Sequence, residues 1–112
     1  LNPDYFSYTV SKLALAHSVA LQAQALAPWL RVCGLSPGLM YPSGPQTQDN
    51  FERASRVNLQ RQPIDPAQVA RCAVFIADNA SLNGTIVQAD NGQHLVPLNR
   101  DVMFAVDEGK AP

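Results

Sequence analysis

Two short apolar segments constrain the fold of this chain more than any other feature of its sequence. Residues 31–36 lie between Pro28 and the pair Pro37-Gly38, and residues 85–90 end at Asn91-Gly92. The first segment is apolar on both of its alternating faces, which is typical of a parallel strand covered on both sides. The helical pattern before the first segment runs into it through a short connection, so the sequence predicts half of a βαβ unit.

Three helices are predicted around these strands. Residues 7–27 form a long apolar, alanine-rich pattern that Pro28 ends, and residues 48–59 form a weaker one. Residues 65–78 begin with an Asp65-Pro66 capping signal completed by Gln68. The predicted inner stripes are Val10, Leu13, Ala14, His17, Leu21 and Ala25 in the first helix, and Val69, Cys72 or Ala73, Ile76 and Ala77 in the third. Close approach of a second helix or a sheet is predicted at another face of the first helix, formed by Ala16, Ala20, Ala23 and Ala27.

The predicted fold class is α/β. Because two strands do not make a stable parallel sheet alone, we expect residues 1–112 to be the C-terminal portion of a single doubly wound, Rossmann-type domain. The Pro- and Gly-rich loop at residues 37–47 and the weak helix after it predict a lid over approximately residues 38–60. Residues 102–106 are predicted to form a short edge segment or a contact with a partner chain.

Composition excludes several classes of function. A formal net charge of −1 gives no electrostatic footprint for nucleic acid. No apolar run is long enough to span a membrane, and the start of the chain lacks a secretion signal and an initiator Met. We therefore expect a cytoplasmic fragment that does not bind membranes. Cys33 and Cys72, with His17 and His94, form no metal motif. The cysteines are interpreted as small buried apolar residues and each histidine as structural or solvent-facing.

One polar pair stands out in the first predicted helix. Tyr8 and Lys12 are four residues apart, so their side chains project side by side from one helix face. An ammonium group beside a phenol favours the phenolate and is expected to lower the tyrosine pKa. Such a phenol can exchange a proton with an alcohol or carbonyl oxygen. The alternative is an exposed Tyr–Lys pair without a chemical role.

Three further motifs follow this pair in the order found in one known family. "YTVSK", then "RVCGLSPG" closing a buried strand, then "IDPAQVARCAVFIADNAS" and "GTIVQADNG", together resemble the short-chain dehydrogenase/reductase family. The resemblance covers residues 5–96. It implies an NAD(P)-dependent oxidoreductase with a Rossmann-type fold, which transfers a hydride with tyrosine as acid/base.

The resemblance also implies roles for individual residues. Tyr8 would be the catalytic acid/base, and Lys12 would assist it and bind the nicotinamide ribose. The cofactor, NADP or NAD, would further contact the residues that follow the first strand, which are Pro37, Gly38, Leu39 and Met40. Carboxyl ends of strands are where open α/β sheets bind ligands. Candidate substrate residues in the predicted lid are Met40, Tyr41 and Phe51.

The sequence also departs from the family pattern. Asn91 replaces the first glycine of a usual pair, and the nearest threonine after Pro37-Gly38 is Thr47. The family's catalytic serine and Gly-rich pyrophosphate turn would both precede Leu1. We therefore expect the 112 residues alone to be inactive.

Several functions remain open at the level of sequence. The chain is predicted to belong to an oxidoreductase acting on a carbonyl or a pterin-like C=N substrate, because "NLQRQPIDPAQVA" and "VQADNGQHLV" resemble the pteridine and dihydrofolate reductase branch. The alternatives are a non-catalytic binding or scaffold protein of the same fold, and an autonomous helical interaction module. The family resemblance implies a homodimer or homotetramer, assembled through the long helix, the last strand and the tail.

Overall fold

The computed structural model describes residues 2–112 as a mixture of helices and parallel strands. The elements are α1 Phe6–Leu26, β1 Gly34–Pro37, α2 Gln48–Ala54, α3 Pro66–Asp78, β2 Ile86–Ala89, a 3-10 turn at Gln93–Leu95 and α4 Val102–Asp107. The predicted α/β class is confirmed.

The two strands pair in parallel through a helical crossover. Gly34 lies opposite Ile86 at one end of the pair, and Pro37 lies opposite Ala89 at the other. α3 connects the strands and contacts both. Parallel neighbours require such a crossover, so β1, α3 and β2 form a βαβ unit. Within residues 2–112 the sheet consists of these two strands.

Both strands are slightly shorter than predicted. β1 begins at Gly34 rather than at Arg31, because the preceding residues make other hydrogen bonds. The Val32 N–H donates to the Asn83 side chain at 2.9 Å. The Arg31 guanidinium donates to carbonyls at and just beyond the end of α3, including those of Ile76 and Ala77 at 3.0 and 2.9 Å. Arg31 therefore fastens the entry of β1 to the C-terminal end of α3.

The start and inner face of α3 follow the sequence pattern. The Asp65 side chain accepts a hydrogen bond from the Ala67 N–H at 2.9 Å, as expected of an N-cap residue. Val69 is buried and Cys72 and Ile76 are half-buried, whereas Ala73 and Ala77 are exposed. The inner stripe therefore runs through Cys72 rather than through Ala73, and the prediction that Ala77 belongs to it is wrong.

The predicted inner stripe of α1 is wrong within the described structure. Val10, Leu13 and Leu21 are exposed, and the buried residues of this helix are Val19 and Ala23. A Cβ placed on Gly34 would lie 3.4 Å from Val19, and one on Gly84 would lie 3.5 Å from Ala23. The two strands thus cover one narrow strip of α1, and a two-stranded sheet offers no surface for the rest. Also exposed are Ala14, Ala16, His17, Ala20, Ala25 and Ala27.

A small core forms between α2, α4 and the loops beside them. Its buried members are Ala54, Val57 and Val102. α2 ends at Ala54 rather than at residue 59, because the Asn58 amide donates to the carbonyls of Ser55 and Gln62 and folds the chain into a turn. The predicted lid segment therefore contributes core residues. Its movement as a lid stays a prediction.

The C-terminal segment is a helix, so the predicted edge segment at residues 102–106 is wrong. Asp101 caps α4 by accepting the Met103 N–H at 3.0 Å, and α4 packs on α2. Val102 and Ala105 are buried there. The N-cap aspartate favours a helix over an extended strand at this position.

Two further features concern metals and membranes. Cys33 and Cys72 are free and half-buried. Among residues 2–112 there is no group of three or more His, Cys, Asp or Glu residues that could hold a metal ion. None of the helices in this part of the chain has the length and hydropathy needed to cross a bilayer.

Candidate functional site

Tyr8 and Lys12 lie side by side at the start of α1, as their spacing predicts. The Lys12 Nζ lies 5.6 Å from the centroid of the Tyr8 ring, within the range of a cation–π contact. Tyr8 is 61% exposed, and Lys12 makes no ion pair with any other described residue. The phenol and the ammonium group are therefore both available to a ligand.

Tyr8 lines a cleft with a volume of about 660 Å³. Leu39, two residues beyond the carboxyl end of β1, lines the same cleft, and so does Asp90 at the end of β2. The cleft therefore joins α1 to the edge of the sheet where open α/β folds bind their ligands. Residues of the tail close it from another side, among them Leu98, Asp101 and Met103.

Gly38 allows the carboxyl ends of the two strands to pack closely. Its N–H donates to the Ala89 carbonyl at 3.3 Å, and a Cβ at this position would come within 3.1 Å of the Asp90 Cα. A larger residue would push apart the loop ends that form the cleft. This requirement explains the glycine of the Pro37-Gly38 pair in physical terms.

Asp90 organises the turn that follows β2. It is only 8% exposed, and its carboxylate accepts from the N–H groups of Gly92 at 3.0 Å and His94 at 2.9 Å. The His94 Nδ1 lies 2.9 Å from Asp90 Oδ2. Burial alone would raise the pKa of Asp90, but these hydrogen bonds outweigh it and lower the pKa. The carboxylate therefore stays ionised and holds the turn.

The replacement of glycine by Asn91 fits the backbone at that position. Asn91 has φ 53°, which lies in the left-handed region, and Gly92 follows with φ 76°. Asparagine adopts this region more readily than most residues with a side chain. The Asn91 amide also donates to the Gln62 carbonyl at 3.1 Å. The departure from the family pattern thus preserves the turn.

The remaining predicted site residues lie at varied positions around this edge. Met40 and Phe51 are half-buried and Tyr41 is exposed, and none of the three lines the 660 Å³ cleft. Pro37 and Gly38 lie at the end of β1 beside the cleft but outside its lining. The Thr47 hydroxyl accepts from the Asn50 N–H at 3.2 Å and caps α2. The structure thus brings Tyr8 and Leu39 into one cleft, and the substrate residues stay a prediction.

The tail holds the start of α1 in place and was missed as part of the site. Asp4 accepts from the Arg100 guanidinium at 3.0 Å and from the Asp101 N–H at 2.9 Å, and the Arg100 hydrogen bond lowers the pKa of Asp4. The rings of Tyr5 and Phe104 stack with centroids 5.9 Å apart. No pattern of apolar residues reveals these contacts, because they join segments nearly a chain length apart.

Two comparisons decide the family. A family model described as Enoyl-(Acyl carrier protein) reductase matches residues 1–94. The short-chain dehydrogenase/reductase homolog YusR from Bacillus subtilis (strain 168) is 33% identical over 89 residues, which cover 79% of this chain and 69% of YusR. The chain belongs to the short-chain dehydrogenase/reductase family. The resemblance predicted from its motifs is confirmed.

Other members of this short-chain dehydrogenase/reductase family are considerably longer than the chain. The uncharacterized oxidoreductase MT0954 from Mycobacterium tuberculosis (strain CDC 1551 / Oshkosh) is 30% identical over 94 residues, covering 79% of this chain and 36% of the relative. FolM alternative dihydrofolate reductase 1 from Brucella canis, crystallised with NADP, is 37% identical with a TM-score of 0.82. That match covers 90% of this chain and 40% of FolM, so the chain spans less than half of this neighbour.

Proposed function

We propose that this chain forms the proton-transfer side of an NADP-dependent short-chain reductase, which reduces a carbonyl or a pterin-like C=N substrate. The observation that carries the proposal is the pairing of Tyr8, which lines the cleft, with Lys12, which lies beside Tyr8 but outside the cleft lining. The Lys12 Nζ lies 5.6 Å from the Tyr8 ring centroid, and Tyr8 lines the cleft together with Leu39 from the end of β1.

The described residues suit one end of a dinucleotide. The Tyr8 hydroxyl and the Lys12 ammonium group can donate hydrogen bonds to ribose hydroxyls, and residues 37–40 present a mostly apolar strand end to a nicotinamide ring. No G-x-G-x-x-G turn occurs in the printed sequence. The residues present therefore fit the nicotinamide and its ribose, and the pyrophosphate would be held by other residues.

Tyr8 and Lys12 would divide the proton-transfer work. When bound, the cofactor supplies a hydride to the substrate carbon. The Tyr8 hydroxyl donates its proton to the substrate oxygen or nitrogen as that carbon is reduced, giving an alcohol or an amine. The Lys12 ammonium group stabilises the phenolate that this transfer leaves behind, and Tyr8 then regains a proton from water.

The substrate class is supported by the similarity to FolM. FolM from Brucella canis is an alternative dihydrofolate reductase crystallised with NADP, and it is 37% identical to this chain in a match that covers 90% of the chain. A reduced pterin contains C=N bonds, which accept a hydride at carbon and a proton at nitrogen. We therefore place a pterin-like compound before a simple carbonyl compound and NADP before NAD as candidates for the first assays.

The test is a Tyr8→Phe substitution in the full-length protein that carries this chain. Phenylalanine keeps the ring but removes the proton, so we expect NADPH-dependent turnover to fall by about 10²- to 10⁴-fold. The dissociation constant for NADP, measured by calorimetry, should change little. Turnover equal to that of the unmodified protein would overturn the role of Tyr8. Bound pterin and NADP without turnover in either protein would favour the binding or scaffold alternative.

A matched pair of lysine variants tests the partner of Tyr8. Lys12→Met should lower turnover, because it removes the positive charge that stabilises the Tyr8 phenolate. It should also weaken NADP binding, because it removes a hydrogen-bond donor to the ribose hydroxyls. Lys110→Met is the control, since Lys110 lies near the C-terminus and pairs with Glu108 at 2.7 Å. Equal effects of the two substitutions would argue against a specific role for Lys12.

A further inference from the structure

His94 is a titratable side chain in the same cleft as Tyr8, and the proposed proton transfer does not use it. It lies in the 3-10 turn after β2, and its side chain is 42% exposed. It lines the cleft together with Tyr8 and Leu39. Its position differs from that of His17, the other histidine, which lies on an exposed stretch of α1 outside this cleft.

Asp90 fixes the orientation of the His94 ring. The His94 Nδ1 lies 2.9 Å from Asp90 Oδ2 and 3.1 Å from Oδ1, and the His94 N–H donates to the same carboxylate at 2.9 Å. An ionised carboxylate only accepts hydrogen bonds, so the proton of the neutral ring resides on Nδ1. The opposite nitrogen, Nε2, then carries a lone pair and makes no hydrogen bond with residues 2–112.

The charge of the cleft selects what this lone pair could bind. Apart from His94, the ionisable residues lining the cleft within the described part of the chain are the tyrosines Tyr5 and Tyr8 and the acids Asp90 and Asp101. None of these lining residues is Lys or Arg. An anionic ligand group would meet two carboxylates and no Lys or Arg in the cleft lining. A neutral group carrying N–H or O–H donors would find acceptors instead.

We infer that His94 is a substrate-binding residue whose Nε2 accepts a hydrogen bond from an N–H or O–H group of a neutral, planar heterocyclic substrate. This inference rests on the proposed function, because it places the ligand in the cleft that Tyr8 lines. It adds a substrate contact on the β2 side of the cleft. There His94 accepts a hydrogen bond, whereas Tyr8 on α1 donates a proton. Asp90 acts through His94 as a positioning residue.

Binding of a neutral pterin to the full-length protein saturated with NADP tests the inference. The probe is 7,8-dihydrobiopterin, measured by calorimetry with the His94→Asn and His94→Gln variants. Asparagine can still donate to Asp90 but has no atom near Nε2, so we expect about three- to tenfold weaker binding. The glutamine amide oxygen reaches farther and should keep the affinity within about threefold of the unmodified protein. His17→Asn is the matched control and should bind the probe normally.

Several results would overturn the inference. These are unchanged pterin affinity in His94→Asn, equal losses in His94→Asn and His94→Gln, or the absence of pterin binding to the unmodified protein. Nitrogen-15 NMR of the His94 ring tests the same contact in the unmodified protein. The Nε2 resonance should move when the probe binds, and a fixed resonance would contradict the proposed contact even if His94→Asn fails to fold.

Failure of this inference can be told apart from failure of the proposed function. If Tyr8→Phe abolishes turnover but His94→Asn binds the pterin normally, the reductase assignment stands and the role of His94 falls. If His94→Asn weakens pterin binding but Tyr8→Phe retains full turnover, the binding contact stands and the proton donor is wrong.

Discussion

The α1 side and the α2–α4 side of this chain differ in how completely they bury their apolar residues. Between α2 and α4, Ala54 is 1% exposed and Val102 is 8% exposed. On α1, Val10 is 50% exposed, and Leu21 and Phe6 are more exposed still. The first region is packed within the chain, and the second presents an apolar surface together with the Tyr8–Lys12 pair.

The two regions also differ in polar contacts. Arg53 on α2 donates to Asp49 at 3.1 Å and to Asp107 at 2.6 Å, and the Asn50 amide donates to the Met103 carbonyl at 2.8 Å. The middle and end of α1 make no such links to distant parts of the chain within residues 2–112. Large exposed apolar surfaces mark contact sites. This exposed surface is consistent with the predictions from the sequence, in which α1 meets the remainder of a short-chain dehydrogenase/reductase sheet or a second subunit.

A pair of valine-to-alanine substitutions should give the largest stability contrast between these regions. In the 112-residue chain, Val102→Ala removes two buried methyl groups and leaves a cavity, so we expect a loss of about 1.5–3 kcal/mol in the free energy of unfolding. Val10→Ala alters an exposed side chain and should change it by less than about 0.5 kcal/mol. Urea unfolding followed by circular dichroism measures both.

Equal losses in the two variants would break the comparison, since they would show that Val10 is also covered. Repeating the unfolding at several protein concentrations sharpens this result. A loss at Val10 that grows with concentration would identify a second copy of the chain as the cover, because association stabilises by mass action. That outcome would support the predicted homodimer or homotetramer.

Lowering the pH should destabilise the α4 region by less than the Val102→Ala substitution does. Hydrogen bonds from Arg100, Arg53 and Lys110 lower the pKa of Asp4, Asp107 and Glu108 below the ordinary values of 3.8 for Asp and 4.5 for Glu. Folded-state pKa values that are lowered give stability that is present above those ordinary values and lost as the pH falls through the lowered ones. α4 should therefore loosen below about pH 4. Residues 5–30 contain no Asp or Glu, so α1 should not respond directly beyond its start, which Asp4 ties to Arg100.

Hydrogen exchange of residues 100–110 and of α1 between pH 6 and pH 2, corrected for intrinsic rates, measures this difference. Asp107→Asn should make the protection of α4 less sensitive to acid, because it removes one of the titrating groups. Simultaneous loss of protection in α1 and α4 would show that the two regions unfold together and that their ion pairs do not set the order.

Local signals in the sequence predicted most of the fold. Pro28, the Asp65-Pro66 start, the apolar runs before Pro37 and Asn91, and the helical spacing between them each act within a few residues, so helix and strand positions were predicted to within a few residues. The C-terminal helix was missed, because its Asp101 cap precedes a short apolar run, VMFAV, that also suits a strand. The buried face of α1 was predicted wrongly, because the number of strands that pack beside the helix determines which of its side chains are buried.

The candidate site was predictable where chemistry follows spacing. Tyr8 and Lys12 are one helical turn apart, and their adjacency follows from helix geometry alone. The role of the tail was not predictable, because Asp4 meets Arg100 through a contact 96 residues apart in sequence. His94 carries a weak signal in the sequence, although the metal-motif argument interpreted it as structural or solvent-facing. It lies four residues after an aspartate at the end of a strand, which is the spacing that places its ring on that carboxylate.

The measurement that tests the central claim most directly is the turnover of the double variant Tyr8→Phe/Lys12→Met at saturating NADPH. If the phenol and the ammonium group act as one proton-transfer unit, removing Lys12 after Tyr8 has already been replaced should cost little further rate. We expect kcat of the double variant to lie within about threefold of that of Tyr8→Phe. Losses that multiply, so that the double variant falls by the product of the two single effects, would contradict the account.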